Sequence, residues 1–244
     1  NADILYRKGC ALLSLSNPTE ALSYFDRALS LNPNNADSLY HKGMTLFAMS
    51  KSGEALACYN KALAITPNNA DVLYQKAHLL ANMDRSQDAL VILDQILKSN
   101  PHHINALFDK GLILENLENY DDALNCFARI IDKKPHTDSL YHRGKIMFSL
   151  GKFEPAVSSL DLVLDSNPNH VGSLLYKTKS LLGLGLFKDA YDNCQKLLAL
   201  DQTNIENLYT GVDVLIKITK YEEALVLLEQ ILSKDPQYKQ TLYY

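Results

Sequence analysis

Histidine, cysteine and carboxylate side chains are all present in this 244-residue chain, yet their spacing assembles no reactive set. The seven histidines lack a metal-ligand pattern: His102-His103 falls in a turn, where adjacent side chains rarely converge on one ion. His41 and His142 are too far apart to act jointly. The four cysteines, Cys10, Cys58, Cys126 and Cys194, form no CxxC pair and no disulfide framework. Cys58 and Cys126 occupy matching helix places and read as packing residues rather than nucleophiles. No glycine-rich phosphate loop follows a strand, and no carboxylates can be recognised as a buried pair. The expectation is a segment that is not an enzyme, with no catalytic residue, metal or cofactor. The unpaired cysteines suit a reducing compartment, cytoplasmic or nuclear.

One chemical feature does recur. Asp3, Asp37, Asp71, Asp138 and Glu206 return at nearly constant spacing. Such a row can select lysine or arginine on a partner. It can also complement helix dipoles, worth about 0.3–1 kcal/mol per carboxylate in a first turn.

The element that positions these acids is a repeat. Ala21, Ala55, Ala89, Ala123, Ala156, Ala190 and Ala224 are separated by 34, 34, 34, 33, 34 and 34 residues. A period of that length means one small unit copied along the chain. Repeats fall at about 2–35, 36–69, 70–103, 104–136, 137–170, 171–204 and 205–238, making a single array, with 239–244 beginning a further helix. Pro33, Pro67, Pro101, Pro135, Pro168 and Pro236 close six repeats, while Gln202 stands in that place in the sixth. Asn, Asp or Thr before each new helix can cap its free N–H groups. Within the first unit Leu5, Gly9 and Leu12 have helical spacing. A break at Ser16-Asn17-Pro18 precedes a second stripe of Ala21, Phe25, Ala28 and Leu29. Two short helices joined by a tight turn lie antiparallel, as an αα-hairpin. Gly9, Gly43, Ala77, Gly111 and Gly144 on the first helices are expected to face the ladder alanines, letting the backbones approach closely.

A large apolar residue, then glycine, alanine, an aromatic, alanine and proline over one period resembles the tetratricopeptide repeat (TPR). Leu39, Gly43, Leu46, Ala55, Tyr59, Ala62 and Pro67 carry that pattern in the second unit, and it extends over essentially the whole chain. The resemblance implies an all-α fold without β-sheet: a right-handed αα-hairpin superhelix, or TPR solenoid. It also implies a concave groove lined by first helices that binds a peptide or helical segment of a partner protein. Thr178 and Val212 replace the close-contact glycine late in the chain and should spread those hairpins. Related domains that clamp a C-terminal carboxylate need lysines and asparagines in the groove. Tyr6, Cys10, His41, Asp71 and Gln75 stand there instead, which disfavours that ligand.

With one face of each first helix on its partner, the opposite face lines the groove. The candidate peptide-binding residues are Asp37, His41 and Met44; Asp71, Gln75, His78 and Asn82; Asn105, Asp109, Leu112 and Asn116; Asp138, His142 and Lys145. Equivalent places later hold Lys179, Thr210 and Asp213. This face is polar and acid-bearing, with Met44 and Leu112 as apolar seats, so the expected partner is a protein or peptide of basic character. Tyr6, Tyr40, Tyr74, Phe108, Tyr141 and Tyr209 flank the face and read as packing between repeats. Lys8, Lys42, Lys76, Lys110, Arg143 and Lys177 form a column whose stems cover the neighbouring repeat.

The net charge of −4 is spread evenly, with no basic arm, so nucleic acid is not an expected partner. No apolar run is long enough to insert in a membrane. The chain opens at Asn1 without methionine and stops at Tyr243-Tyr244, which reads as a piece of a longer chain. That leaves two other readings open. The chain is the substrate-recruiting arm of a larger enzyme, or it self-associates through an uncapped C-terminal end around Leu228, Ile231 and Leu232.

Overall fold

The computed structural model describes residues 1–235. Among them it contains fourteen α-helices and no strand: α1 (Ala2–Ser14), α2 (Pro18–Leu31), α3 (Ala36–Ala48), α4 (Ser52–Ile65), α5 (Ala70–Asn82), α6 (Ser86–Ser99), α7 (Ile104–Asn116), α8 (Tyr120–Ile131), α9 (Thr137–Ser149), α10 (Phe153–Ser166), α11 (Val171–Gly183), α12 (Phe187–Leu200), α13 (Ile205–Lys217) and α14 (Tyr221–Lys234). Pro236 and the expected further helix at 239–244 lie outside the described residues.

The helices group into two compact units, residues 1–118 and the chain from 119 onward. In the first, hairpins α1–α2, α3–α4 and α5–α6 stack in chain order, and α7 extends the row of odd-numbered helices. In the second, α8 packs on α9, and hairpins α9–α10, α11–α12 and α13–α14 follow. Within each unit odd-numbered helices touch one another, whereas each even-numbered helix reaches only its own partner and the next odd helix. The odd helices therefore make a continuous inner layer in each unit.

Every hairpin turns in one way. Ser16, Ser50, Asp84, Glu118, Gly151, Gly185 and Thr219, each five residues before a ladder alanine, have φ between +57° and +72°. In the first hairpin the Ser16 N–H donates to the Leu13 carbonyl and the Asn17 N–H to that of Leu12. This double closure satisfies carbonyls left over at the helix end. Only two of the seven positions are glycine, so five side chains accept a left-handed backbone. At the other end, Asn1, Asn35, Asn69 and Asn204 cap odd helices through side-chain oxygens. The expected Asn, Asp or Thr is replaced by histidine in three repeats. Nδ1 of His103, His136 and His170 accepts the N–H of Ala106, Ser139 and Ser173 at 3.1–3.2 Å.

Each ladder alanine is buried, with Ala224 at 2 % the most exposed. The glycines of the odd helices do not chiefly make room for that alanine, as the periodic pattern suggests. A Cβ on Gly9 would sit 2.6 Å from the Phe25 ring, and one on Gly43 2.5 Å from that of Tyr59. On Gly144 it would meet Leu160 at 2.7 Å, with the Ala156 carbonyl farther off at 3.4 Å. The glycine thus admits the large side chain one turn beyond the alanine. In the sixth hairpin that large residue is Cys194, and Thr178 takes the place of glycine. The Asn193 amide donates to the Thr178 hydroxyl at 2.7 Å and to the Leu174 carbonyl at 2.8 Å. A buried polar clasp replaces the ring-on-glycine contact.

The turn after α12, which lacks proline, is held by Asp201. Its carboxylate accepts the Thr203 hydroxyl at 2.7 Å and the N–H groups of Thr203 and Asn204 at 2.9 and 3.2 Å. At the C-terminal end, Ile231 is fully buried inside the last hairpin and does not belong to the exposed apolar end. The exposed large apolar residues of α14 are Tyr221, Leu225, Val226 and Leu232.

Two stability predictions follow from the turns. Thr219 is β-branched in the left-handed region, which costs about 1–2 kcal/mol, while glycine loses about 0.5–1 kcal/mol through chain entropy. Thr219→Gly should raise unfolding free energy by about 0.5–1 kcal/mol in urea titration, and a loss would refute the strain. The Thr203 hydroxyl first, then the Thr203 and Asn204 backbone N–H groups, hold the Asp201 carboxyl below its ordinary range. A carboxyl lowered on folding stabilises fully above its unfolded pKa and loses that contribution as pH falls through the folded one. Asp201→Ala should therefore be less stable than the parent at neutral pH, with the gap closing in acid. A gap independent of pH would contradict the assignment.

Candidate interaction groove

Residues spaced i, i+4, i+7 and i+11 on an odd helix share a face. In the first unit this face points away from the even helices along α3, α5 and α7. Its N-terminal members Asp37, Asp71 and Asn105 are exposed, as are Asn82 and Asn116 at the other end. Gln75, Met44 and Leu112 are half-buried between neighbouring odd helices.

The histidines of this face play different parts. His41 lies against Tyr6 and Tyr40, with ring centroids 5.3 and 5.0 Å apart, and against Phe25 at 6.2 Å. Its Nδ1 is 3.0 Å from the Asp37 carbonyl oxygen and 3.5 Å from the Tyr6 hydroxyl. The ring is thereby held among side chains of α1 and α2. In the second unit His142 stacks on Phe127 at 5.6 Å and meets Tyr141 edge-on at 5.1 Å. These two expected ligand contacts are joints between consecutive hairpins. His78 touches Phe47 of α3 edge-on at 5.9 Å and Tyr74 at 6.4 Å, but its side chain stays 46 % exposed and its Nδ1 lies 3.5 Å from Oδ2 of Asp109.

Asp109 lies midway along α7, the last odd-numbered helix of the first unit. Its side chain is only 19 % exposed, and Oδ2 is shut off from solvent with no hydrogen-bond donor. A pocket of about 190 Å³ opens over it, bounded by His78, Asn82, Leu93, Leu112 and Asn116. The Asn82 amide nitrogen donates to the His78 carbonyl at 2.8 Å. Tyr74 adjoins the carboxylate: burial first, then the negative charge of Asp109 and a hydrogen bond with that carboxylate, push its phenol above the ordinary value, while Oδ2 itself receives no bond of normal geometry. A buried carboxylate oxygen without a donor is costly, of the order of 1–3 kcal/mol. Apolar walls around an acceptor suit a long side chain with an apolar stem and a donating head.

The acidic row is partly used up internally. Asp3 binds Arg7 at 2.9 Å, and Glu206 accepts from Lys179 at 2.5 Å. Asp37, Asp71 and Asp138 are exposed, and no ion pair is seen for them among the described residues. In the second unit Asp138 is exposed and Lys145 half-buried on α9. A larger cavity of about 610 Å³ there is lined by Phe148, Lys179, Leu182, Glu206, Tyr209, Thr210 and Asp213. Periodicity placed Lys179, Thr210 and Asp213 on this face. Phe148, Leu182 and the phenol of Tyr209 escaped it, because they belong to columns that elsewhere pack between repeats.

The remaining reactive groups are spent on packing. Cys58, Cys126 and Cys194 are buried, and burial pushes the Cys194 thiol up to about 12. Among the described residues no three histidine, cysteine or carboxylate groups could share a metal ion. No helix there is long and apolar enough to cross a membrane.

Family profiles described as Tetratricopeptide repeat match residues 2–35, 24–57, 85–146 and 138–170, and one described as TPR repeat matches 43–84. No curated protein matches the sequence. Among solved structures, the C-terminal part of a TPR repeat-containing protein from Cytophaga hutchinsonii is similar with a TM-score of 0.81 at 15 % identity, covering 97 % of this chain and 98 % of that one. A tetratricopeptide repeat protein from Parabacteroides merdae gives 0.72 at 17 % identity, covering 99 % and 96 %. YrrB, described as a TPR protein with an unusual peptide-binding site, gives 0.66 at 19 % identity, covering 76 % and 96 %. At these identities the likeness is one of fold.

The geometry separates joint residues from open ones. His41→Ala should lower unfolding free energy by about 1–2 kcal/mol through lost aromatic packing. His78→Ala should change it by less than about 0.5 kcal/mol. Equal losses in chemical denaturation would show that the two histidines are equivalent after all.

Proposed function

Since this chain belongs to the tetratricopeptide repeat family, we propose that it is a non-catalytic protein-interaction scaffold that binds an extended, basic peptide segment. The groove of the first unit receives that segment, and a lysine or arginine enters the pocket over Asp109. The observation carrying this reading is the buried Asp109 Oδ2 that lacks a donor at the foot of an open pocket.

A lysine or arginine stem packs on Leu112 and Leu93 while its head donates to Asp109, supplying the missing hydrogen bond. Bonds to a charged acceptor are roughly twice as strong as neutral ones. Asn82 and Asn116 stand at the rim, where side-chain amides can pair with the peptide backbone. Asp37 and Asp71, exposed and outside any ion pair seen here, draw a basic partner in from solution. The peptide-binding site named for YrrB supports a peptide ligand for this fold. The polar face and the open pocket over a carboxylate favour an extended segment over a fully apolar helix. Four cysteines scattered through the sequence with no CxxC pair or disulfide framework accord with a reducing compartment, cytoplasmic or nuclear.

Selection from a random peptide library on the 244-residue chain tests this directly. Recovered sequences should be enriched in lysine or arginine at one fixed place. In calorimetry Asp109→Asn should weaken the best binder by about tenfold, since one charge-assisted bond is lost. Asp37→Asn with Asp71→Asn should chiefly slow association and reduce its salt dependence. Binders lacking a basic residue, or an unchanged affinity in Asp109→Asn, would sink the reading.

A further inference from the structure

A second kind of hollow recurs at the joints, between two even helices and over the odd helix they share. At the first joint it is about 220 Å³, is lined by Pro33 and Cys58, and is crossed by the Asp26–Lys42 pair at 2.6 Å. Asp94–Lys110 and Asp161–Lys177 repeat that pair in the same register at 2.5 and 2.6 Å. Lys42, Lys76, Lys110, Arg143 and Lys177 occupy the place at the first five joints. A long stem thus fills the hollow, and an acid of the preceding even helix meets its head where one is present.

The sixth joint departs at several of these places together. Counted from the ladder alanines, Gly211 stands for the lysine, Gln195 for the acid, Gln202 for Pro33 and Leu227 for Cys58. Both charges are gone and the wall has become more apolar. The result is a cavity of about 460 Å³ walled by Leu198, Ala199, Val214, Leu215, Val226 and Leu227. It lies inside the stack: Leu225 and Leu232 correspond to Leu56 and Leu63, which meet the following hairpin, and they do not line it. Its polar end has a definite pattern. The phenol oxygen of Tyr191 accepts from the Gln195 amide at 2.7 Å and from the Lys220 ammonium at 2.9 Å. Two donors occupy its acceptor positions and leave the O–H to donate. Lys220 also binds Glu223 at 2.7 Å, so these two charges answer each other.

We propose that this cavity binds an uncharged, largely apolar small molecule whose hydrogen-bond acceptor meets the Tyr191 hydroxyl. Hollows of about 300–1,000 Å³ with apolar walls and a few placed polar groups are the usual seats of such ligands. The molecule takes the volume that a lysine stem takes at the other joints, where an empty hole forfeits dispersion contact along its walls. A charged head finds no open counter-charge, because Lys220 and Glu223 hold each other. The cavity shares no residue with the Asp109 pocket and does not rest on the peptide reading.

Fluorescence titration of the 244-residue chain with Nile red, an uncharged dye bearing a ring carbonyl, tests the proposal. Binding should saturate at one dye per chain, with blue-shifted emission. Gly211→Lys with Gln195→Asp rebuilds the stem and the acid, and should weaken binding at least tenfold. The nearest neighbours of a Cβ at Gly211 are the flexible tips of Leu227 and Leu198, at 2.9 and 3.1 Å. If circular dichroism shows that this variant fails to fold, Val226→Asp, at a 54 % exposed place on the wall, carries the same expectation. Tyr191→Phe should weaken binding several-fold, and Leu225→Asp, outside the cavity, should leave it unchanged. The anionic dye anilinonaphthalene sulfonate should bind at least tenfold more weakly than Nile red. An absence of saturable binding, or binding that survives the filled cavity, overturns the proposal. So does a loss in Leu225→Asp, an unaltered affinity in Tyr191→Phe, or equal affinity for the anionic dye.

Discussion

The close approach of the two helices in each hairpin governs the rest of this molecule. Two helices can pack tightly only where one gives up volume to the other, because protein interiors tolerate neither voids nor overlap. Here the exchange is explicit. Gly9 yields to Phe25, Gly43 to Tyr59 and Gly144 to Leu160, next to alanines that are wholly buried. A glycine in a helix costs about 1 kcal/mol against alanine. The ring it admits buries far more apolar area than that cost cancels. Where glycine is absent the exchange continues with other sizes: Thr178 faces a repeat whose large residue has shrunk to Cys194, and Asn193 fills the remainder with hydrogen bonds. This volume exchange sets the rotation of every odd helix about its own axis.

Fixing that rotation fixes what is left over. With one face committed to the even partner and the flanks committed to neighbouring hairpins, one stripe of each odd helix remains, and it can carry polar residues without harming the core. The flanks are not passive. Tyr6 and Tyr141 meet the histidines of adjoining hairpins, so side chains nominally on the stripe are drawn into joints. Asp109 escapes that fate in part: His78 stands 3.5 Å from it, too far for a normal hydrogen bond, and its inner oxygen keeps an unmet demand.

The periodic part of this architecture is legible in the sequence because it depends on residue volume at fixed spacing. The alanine ladder, the hairpin boundaries and the polar stripe can all be derived that way. Features set by one neighbour rather than by the period are not legible. His41 and His78 both fall on the stripe, but Tyr6, Tyr40 and Phe25 enclose one, whereas the other meets Phe47 and Tyr74 at 5.9 and 6.4 Å and keeps an open side, 46 % exposed. Burial of Asp109 is equally hidden, since its column reads Arg7, His41, Gln75, His142, Tyr176 and Thr210 elsewhere. The left-handed turn residues escape notice because only Gly151 and Gly185 carry the expected signature. Histidine caps at His103, His136 and His170 pass for loop residues until their Nδ1 atoms are seen to accept backbone N–H groups.

The lysine column illustrates how charge and packing divide their work at a joint. An exposed ion pair contributes about 0–1 kcal/mol, too little to order a stack by itself. Yet Lys42, Lys110 and Lys177 are only 23–25 % exposed, so most of each side chain is stem laid across the neighbouring helix. The sixth joint supplies the natural deletion. Gln195 stands there in place of the acid and Gly211 in place of the lysine, and a largely apolar cavity of about 460 Å³ remains beside Gly211, lined by Leu198, Val214 and Leu227. A Cβ at Gly211 would already meet Leu227 at 2.9 Å and Leu198 at 3.1 Å. The leucines have therefore moved into the place where a stem begins but not into the outer part it would cover. Lysine at this position acts first as a hydrocarbon lid on the joint, and its charge then decides which neighbour the lid can close upon.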